Sequence, residues 1–325
     1  MSQSKSFKIN MVGSNTVGYV GEIADELLIA KSLKSMGHKV QFIPRDIWKA
    51  YTDGEWNEDW KVYLKDLKAD INILCKWHHF NNGKYINHLR QESQAPVFYW
   101  TWDFMDYSGF HKEMVDAADL FLGNDVFDQQ YNDCKNKYYF PFDCADADLA
   151  KVDDEKKKYE VVFFGSCLDQ GDRKEWLPDI ARNCQLKIFA WNWEEWKKLG
   201  LDAEPAVWGH DFCKAVTQAK ICLQFSVNDH TWGYWSNRVG KVLTQGGFLM
   251  CRYAPGMELF FRDGVEYFSS VKEAIDKINY YLENKEERIE IARKGWMIGR
   301  DRMSMQERAV DLTILIDRYL KGAFI

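Results

Sequence analysis

Short apolar segments separated by helix-length stretches run through the whole chain, and this alternation limits the fold more than any other feature. The stretches between them carry apolar residues at helical spacing, as in the helix expected over about Glu22–Met36. Strands joined through helices pair in parallel, so we predict an α/β protein with doubly wound, Rossmann-like sheets. The predicted strands are Lys8–Val12, His38–Ile43, Ile71–Cys75, Val97–Trp100, Leu120–Leu122, Tyr138–Phe140, Tyr159–Phe164, Leu186–Ala190, Ile221–Phe225 and Phe248–Cys251.

The chain length and one charged segment predict two domains. A chain of 325 residues is long enough for two α/β domains of ordinary size. The segment Lys151–Lys158 (KVDDEKKK) is charged, has no apolar face and separates two stretches that each lead into a buried-type strand. We therefore expect one domain over residues 1–150, a second over residues 159–305 and a final helical segment over residues 306–325.

The composition is that of an ordinary globular protein. A formal net charge of −6 at pH 7 argues against a surface built mainly to hold nucleic acid. Nucleic acid is therefore a possible but not a favoured partner. The eight cysteines are scattered without a C-x-x-C or Cys/His cluster, so we expect reduced thiols. The first residues lack the layout of a signal peptide, and no apolar run approaches the ~18 residues of a membrane span. We therefore expect a cytoplasmic protein.

The segment that begins near Asn228 has the features of an anion site. Ser236 and Asn237 precede a short predicted helix that carries Arg238 and Lys241, with Ser236 as its N-cap. The unpaired N–H groups and the positive end of the macrodipole at a helix start attract phosphate. Arg238 and Lys241 stand three residues apart on one helical face and could neutralise two phosphates.

Two carboxylates follow the next strand of this segment. Glu258 lies just behind a Pro255-Gly256 turn, and Glu266 lies beyond it. Acidic residues accept hydrogens from ribose hydroxyls in dinucleotide folds, so both glutamates are candidate donor-binding residues. The spacing alone fits an ordinary surface helix that leads into a core strand equally well, since short basic helices are common.

The same segment resembles the donor-binding part of GT-B glycosyltransferases, and most closely that of the spore-coat CgeB-like group. The resemblance is clear over residues 158–300 and weaker over residues 1–145. It implies two Rossmann-like domains that face a cleft, an acceptor domain followed by a nucleotide-sugar donor domain, with the C-terminal helix crossing back to the first domain. The matching residues are Arg238-Val-Gly-Lys-Val-Leu-Thr-Gln-Gly-Gly-Phe-Leu, then Pro255-Gly-Met-Glu, then Gly264-Val-Glu266.

The chain departs from this family pattern at two positions. Lys241 stands where the family usually has a helix glutamate, and Gly233 stands where the other glutamate of its E-x7-E signature falls. The ribose contacts that the family assigns to those positions are therefore not expected here. The donor site is expected to be more cationic than that of the family.

The resemblance places further donor contacts in the second domain. Gly165 and Ser166 follow a predicted strand, as in the F-x-G-S opening of the family's donor domain, with Arg173 downstream as a phosphate contact. A strand, a Gly-Ser turn and a helix start also offer N–H groups to an anion on physical grounds alone. In the family the segment equivalent to Val207–His210 lies beside the nucleobase. Trp208 would stack on the base there, with His210 beside it, or Trp208 would belong to the core.

Glycines and indoles after strands of the first domain mark the expected acceptor side. The Gly13-x4-Gly18-x2-Gly21 loop lacks the G-x-G-x-x-G spacing of a dinucleotide fingerprint, and the chain has no G-x4-G-K-[ST] loop. We expect a turn that lets a substrate approach the backbone, and in GT-B proteins the equivalent loop borders acceptor and donor. The candidate acceptor-binding residues are Gly13, Asn15, Gly18, Trp77 and Trp102.

Two side chains of the first domain are candidates for the catalytic base. Asp103 lies where many GT-B enzymes place an aspartate at a strand end, and needs hydrogen-bond reach and a suitable pKa. His78 is the second candidate, with His79 beside it, because imidazole titrates near ~6.5. The alternative for each is structural, since Trp-rich strand ends usually serve packing and a lone histidine is usually a satisfied structural one.

These features together predict a glycosyltransferase that moves a sugar from a nucleotide-diphosphate donor, with a UDP-sugar favoured, to a hydroxyl of a glycan, protein or small molecule. Side-chain cations at Arg173, Arg238 and Lys241 would compensate the charge of the departing diphosphate, so no tightly bound metal is expected. Two alternatives stay open: a DNA-modifying glycosyltransferase of viral type, and a catalytically inactive nucleotide-sugar-binding protein marked by Lys241 and Gly233. A nicotinamide dehydrogenase fits worst, because the fingerprint is missing.

Overall fold

Two parallel six-stranded sheets with helices around them make up the chain in a computed structural model. It describes residues 5–17, 22–23, 25–103, 109–141, 157–169 and 172–323. The chain divides into a first unit of residues 1–142 and 305–325 and a second unit of residues 143–304. The predicted doubly wound α/β architecture is confirmed. Of the predicted linker Lys151–Lys158, only the last two residues lie among those described.

The first unit is organised around a sheet in which every strand pairs in parallel. Its elements are β1 (Lys8–Gly13), β2 (Thr16–Val17), β3 (Glu22–Ile23), α1 (Asp25–Ser35), β4 (Lys39–Pro44), α2 (Arg45–Thr52), α3 (Lys61–Leu64), β5 (Ile71–Cys75), α4 (Lys84–Ser93), β6 (Val97–Trp100), α5 (Gly109–Ala117), β7 (Leu120–Gly123) and β8 (Lys137–Tyr139). The spatial order of the large sheet is β4-β1-β5-β6-β7-β8, and β2 and β3 form a separate antiparallel pair. The predicted helix over Glu22–Met36 therefore starts three residues later, because its first residues pair as a strand.

The second unit repeats the plan. Its elements are β9 (Tyr159–Phe164), α6 (Arg173–Ala181), β10 (Leu186–Ala190), α7 (Trp193–Lys198), β11 (Asp202–Pro205), α8 (Gly209–Thr217), β12 (Ala219–Gln224), α9 (Arg238–Thr244), β13 (Leu249–Arg252), α10 (Met257–Phe261), β14 (Glu266–Phe268), α11 (Val271–Glu283) and α12 (Lys285–Arg302). The order of the sheet is β11-β10-β9-β12-β13-β14. Val161, Val162 and Phe163 are inaccessible on both faces of the central strand β9, as expected where helices cover a parallel sheet on both sides.

The chain returns to the first unit for its last helix, α13 (Met305–Leu320). Leu312, Leu315 and Ile316 form its buried stripe, and α13 packs on α1. The hydroxyl of Thr313 lies 3.0 Å from Nε2 of His38, just after α1. Among the described helices, none contains an apolar stretch of the length that a membrane span requires.

In both sheets, the order in which successive strands are added reverses direction at one place. In the first sheet β4 lies on one side of β1 and β5 on the other, and in the second sheet β10 and β12 flank β9 in the same way. The helices that follow the two neighbouring strands then leave on opposite faces, which opens a crevice at the carboxyl ends of the strands. The switch points between β1 and β5 and between β9 and β12 are therefore where each unit is expected to bind a ligand.

Two glycines of α12 let this helix lie directly against α9. A Cβ on Gly299 would come within 2.9 Å of the Thr244 nitrogen and 3.0 Å of the Leu243 carbonyl carbon. A Cβ on Gly295 would overlap the carbonyl oxygen of Gly264 and approach Leu243 Cδ2 at 2.8 Å. The position of α9, which begins with Arg238, therefore depends on two positions without side chains in α12.

We expect Gly295→Ala to lower the free energy of unfolding by about 1–3 kcal/mol, because the added methyl group forces α12 away from backbone that has no room to give. An alanine elsewhere in a helix would stabilise it by comparison with glycine. Urea denaturation of the full chain measures the change. Arg293→Ala, at an exposed position of the same helix, is the control, and we expect a change within about 0.5 kcal/mol for it. A Gly295→Ala protein as stable as the parent would contradict the close contact.

Candidate functional site

Arg173 lies at the switch point of the second sheet and bridges its two central strands. From the start of α6, its guanidinium donates from Nη2 to the carbonyl oxygen of Phe225 at 2.7 Å and from Nη1 to that of Ser166 at 3.4 Å. Phe225 directly follows β12, and Ser166 follows β9. The side chain is 2% exposed, and its Nε has no hydrogen-bond partner. No carboxylate in the described part of the chain pairs with it, so its charge is left for a ligand.

The guanidinium of Arg238 adds positive charge at the same place. It begins α9, and its Nε lies 3.4 Å from Oε1 of Gln224, the last residue of β12. Burial, with the nearby Arg238 adding to it, lowers the pKa of Arg173 to about 9. Arg173 is still protonated at neutral pH, so two cations are held close together against their repulsion. An anion that contacts both would relieve that repulsion, which is the arrangement expected of a phosphate site.

Three predicted donor residues lie beside these arginines. Gly165 and Ser166 follow β9, and the Ser166 carbonyl accepts from Arg173. The Ser236 hydroxyl lies 3.4 Å from the backbone nitrogen of Arg238. The N-cap position of α9 is Asn237, however, and its side chain makes no capping bond. The predicted Ser236 cap is therefore displaced by one residue, because the helix starts at Arg238.

Lys241 lies one helical turn after Arg238, half-buried. Its predicted role as a second phosphate contact stays a prediction.

The two glutamates predicted to bind hydroxyl groups lie in different surroundings. Glu266 begins β14, so it sits at the amino end of the strand, and its carboxylate pairs with Lys277 at 2.7 Å and accepts from the Tyr281 hydroxyl at 2.8 Å. The structure thus ties Glu266 to α11, and its predicted role in binding hydroxyl groups stays a prediction. Glu258 is exposed in α10, where it bonds the hydroxyl of Tyr253.

Trp208 and His210 lie on the surface at the start of α8. Trp208 is 40% exposed at the N-cap position of this helix, and His210 is exposed in its first turn. Trp208 is therefore not a core residue, and its indole face is accessible for stacking.

Arg252 lies at the carboxyl edge of the second sheet, and the sequence analysis missed it. It ends β13, and its guanidinium pairs with Asp172 at 2.7 Å and with Asp229 at 2.5 Å while lying over the Trp176 ring at 4.5 Å. Asp172 directly precedes Arg173 and adopts a positive φ of 54°. Arg252 therefore fixes the backbone from which the buried arginine extends. A charged residue at a strand end was the available signal, but the two partners are distant in sequence.

The predicted catalytic residues of the first unit are both exposed. Asp103 follows β6 by three residues, and its carboxylate pairs with the Lys76 ammonium. His78 follows β5, and its ring centroid lies 3.9 Å from that of His79. Partial burial and the charges of His79, Arg45 and Lys76 lower the pKa of His78, so its imidazole is neutral at pH 7.

The predicted acceptor residues are spread over the carboxyl ends of β1, β5 and β6. Gly13 is buried at the end of β1, and Asn15 is exposed two residues later. Trp77 is half-buried with the Arg45 guanidinium 4.9 Å above its ring, and Trp102 is half-buried after β6. Gly18 lies outside the described residues.

Glu26, a second residue that the sequence analysis missed, lies at the switch point of the first sheet. It stands in the first turn of α1 with 5% of its surface exposed, and a Cβ on Gly13 would come within 2.9 Å of its own Cβ. Its carboxylate accepts hydrogen bonds from its own backbone N–H and from that of Ser14. Burial raises the pKa of Glu26 to about 7. The sequence shows only an acidic residue early in a helix, which usually faces solvent.

Comparisons with known proteins agree with the fold. Residues 161–313 match a family model described as glycosyl transferase-like. The sequence gives no match to a curated protein. Among the described residues no three His, Cys, Asp or Glu side chains group as a metal site requires.

Three solved structures cover almost the whole chain. An alpha-glucosyltransferase, solved with UDP-glucose and DNA containing an abasic site, has a TM-score of 0.67 at 10% identity and covers 96% of this chain and 100% of its own. HepE of Anabaena, solved with UDP-glucose, has a TM-score of 0.63 at 13% identity, and the match covers 97% of this chain and 100% of HepE. Sucrose-phosphate synthase of Thermosynechococcus elongatus has a TM-score of 0.68 at 9% identity, and the match covers 97% of this chain and 99% of the synthase. The chain therefore has the GT-B glycosyltransferase fold, and its residues 161–313 match the glycosyl transferase-like family.

Proposed function

We propose that this protein is an enzyme that transfers a sugar from a nucleotide-diphosphate donor to a hydroxyl acceptor. The observation that carries the proposal is the pair of guanidiniums at the switch point of the second sheet, one of them buried and without a carboxylate partner among the described residues. When the bond between the sugar and the diphosphate breaks, negative charge grows on the leaving oxygen. Arg173 and Arg238 are held in place before the reaction, so they stabilise that charge without reorganising.

A uridine diphosphate sugar is the favoured donor. HepE and the alpha-glucosyltransferase were both solved with UDP-glucose, and both share this fold. In this chain the exposed Trp208 would stack on the base, as an indole face contributes ~1–3 kcal/mol per base in single-strand nucleic-acid readers. The donor pattern of residues 238–266 further supports membership of the CgeB-like group, with Lys241 in place of the usual glutamate.

The two guanidiniums also support transfer without a metal ion. They supply the positive charge that a divalent cation brings to a diphosphate in other transferases, and Lys241 would add to it. The first unit would hold the acceptor at Gly13, Asn15, Trp77 and Trp102. A cytoplasmic location is proposed with this, since none of the seven described cysteines forms a disulfide.

A DNA acceptor is the second candidate function. The observation in its favour is the fold shared with an alpha-glucosyltransferase whose structure contains DNA. The net charge of −6 weighs against it, because duplex binding depends on neutralising phosphates. An affinity for duplex DNA that falls steeply with salt would favour this candidate, and its absence would leave a glycan, protein or small-molecule acceptor. Donor binding without sugar transfer or donor hydrolysis would indicate the inactive binding protein.

We expect UDP to raise the melting temperature by several degrees in a panel of UDP, GDP, ADP, CMP and TDP, because a ligand that binds only the folded protein stabilises it. Arg238→Ala should raise the UDP Kd about 10- to 100-fold, since a hydrogen bond to a charged group contributes about 1.5–3 kcal/mol. Thermal shift screens the panel, and isothermal titration calorimetry measures the Kd values.

The matched control is Arg182→Ala, which removes an exposed arginine just after α6 that pairs only with Asp179 among the described residues. It should leave the UDP Kd unchanged. Arg173→Lys keeps the buried charge but loses the forked guanidinium, so it should weaken UDP binding while remaining folded by circular dichroism. If Arg238→Ala binds UDP as tightly as the parent, the two arginines do not form the diphosphate site.

A further inference from the structure

Glu26 occupies, in the first unit, the place that Arg173 occupies in the second. Both residues lie in the first turn of the helix that follows the first strand of their sheet, and both lie at its switch point. Gly13 ends β1, one residue beyond the Val12–Leu74 pair with β5, and the Glu26 side chain packs on Gly13. One unit thus places a buried cation where ligands bind in such folds, and the other places a buried carboxyl group.

The groups around Glu26 hold its carboxyl group in place without forming an ion pair with it in the described part of the chain. The charged and titratable groups near it are Asp25 on the same helix, Arg45 at the start of α2 and Cys75 at the end of β5. Arg45 lies over the Trp77 ring and does not form an ion pair with Glu26 in the described part of the chain. Burial raises the pKa of the Cys75 thiol as well, so this thiol stays neutral. Glu26 is left with two backbone N–H donors, which orient its carboxylate.

We propose that Glu26 is the catalytic base, which takes the proton from the acceptor hydroxyl during sugar transfer. The inference rests on the proposed function. In this step the acceptor oxygen forms a bond to the anomeric carbon of the donor sugar as the bond from that carbon to the diphosphate oxygen breaks. The electron pair leaves with the diphosphate, and the proton passes to the Glu26 carboxylate.

Glu26 fits this role better than either residue that the sequence suggested. A base works best when its pKa lies near the working pH, and the burial of Glu26 brings its pKa to about 7. Asp103 is exposed and engaged by the Lys76 ammonium. His78 is exposed, and partial burial of its ring, together with the charges of His79, Arg45 and Lys76, lowers its pKa and so opposes its protonation. Glu26 is also the candidate that contacts Gly13, where the acceptor is proposed to bind.

The test is the pH dependence of UDP-glucose hydrolysis by the full chain, with water as the acceptor and UDP release as the readout. For the parent we expect kcat to rise with pH to a plateau, with a midpoint near 7 where Glu26 loses its proton. Glu26→Gln should lower kcat about 10²- to 10⁴-fold and abolish this rise, while Glu26→Asp should keep a rise at a reduced rate. The UDP Kd should stay the same in both variants.

The comparison variants are Asp103→Asn, His78→Gln and, as a control, Glu113→Gln at an exposed position of α5. The proposal is overturned if Glu26→Gln keeps the rise with pH, or if only Asp103→Asn or His78→Gln removes it. Parent protein that binds UDP but hydrolyses none of UDP-glucose, UDP-galactose and UDP-N-acetylglucosamine also overturns it, with nucleotide binding intact. Absence of UDP binding in the parent would instead refute the proposed function.

The stereochemistry of the product is an independent test. A base that activates the attacking oxygen supports a single displacement, so the α-linked sugar of UDP-glucose should appear first as β-glucose by NMR. Release of α-glucose would contradict the proposal, because the leaving diphosphate itself can accept the proton when configuration is retained.

The stability of Glu26→Gln tests the burial of the carboxyl group without any activity. The folded pKa of about 7 lies above the ordinary value of 4.5, so the contribution of Glu26 to stability is fully present below pH 4.5 and is lost as pH rises through 7. The melting temperature of Glu26→Gln, relative to the parent, should therefore be higher at pH 8 than at pH 5. Glu113→Gln should show no such trend. A pH-independent difference for Glu26→Gln would mean that this carboxyl group titrates normally and would overturn the proposal.

Discussion

The buried guanidinium of Arg173 is the interaction on which the site depends. It joins the ends of β9 and β12 through two carbonyl oxygens, so a charge sits where backbone from two strands already converges. A buried cation of this kind costs several kcal/mol unless something compensates it. Carbonyl dipoles supply part of that compensation, and the rest is left for an anionic ligand. A bound anion would therefore stabilise the second unit, as expected if the proposed donor site is formed before its ligand arrives.

The two units place ionisable side chains of opposite charge, Glu26 and Arg173, at equivalent positions of their sheets. Each sheet reverses direction at a central strand, and each places one ionisable side chain from the following helix at that point. In the second unit the group, Arg173, is charged at neutral pH and suits a diphosphate. In the first unit burial keeps the group near the balance between its charged and neutral forms. The fold therefore dictates where chemistry takes place, and the residue type dictates which chemistry it is.

Local patterns predicted the sheets well, because a buried parallel strand is an apolar run with clear ends. The bounds of Ile71–Cys75, Val97–Trp100, Tyr159–Phe164 and Leu186–Ala190 match their predictions residue for residue. Arg173 and Arg238 were also singled out, from short motifs and the family resemblance, and their role as phosphate contacts stays a prediction. Glu26 was not, since its burial arises from strands that are distant in sequence. The ion pair of Glu266 with Lys277 of α11 could not be foreseen for the same reason. Contacts that form only after the sheets assemble could therefore not be predicted from local sequence patterns.

The return of α13 to the first unit has a consequence for synthesis. The first 142 residues leave the ribosome long before the helix that packs on α1, and the whole second unit is made in between. At about 5–20 residues per second, that delay lasts roughly 10–35 seconds. During that time the apolar surface that α13 will cover is open to other chains. A nascent chain of this protein is therefore expected to need chaperone protection until translation ends.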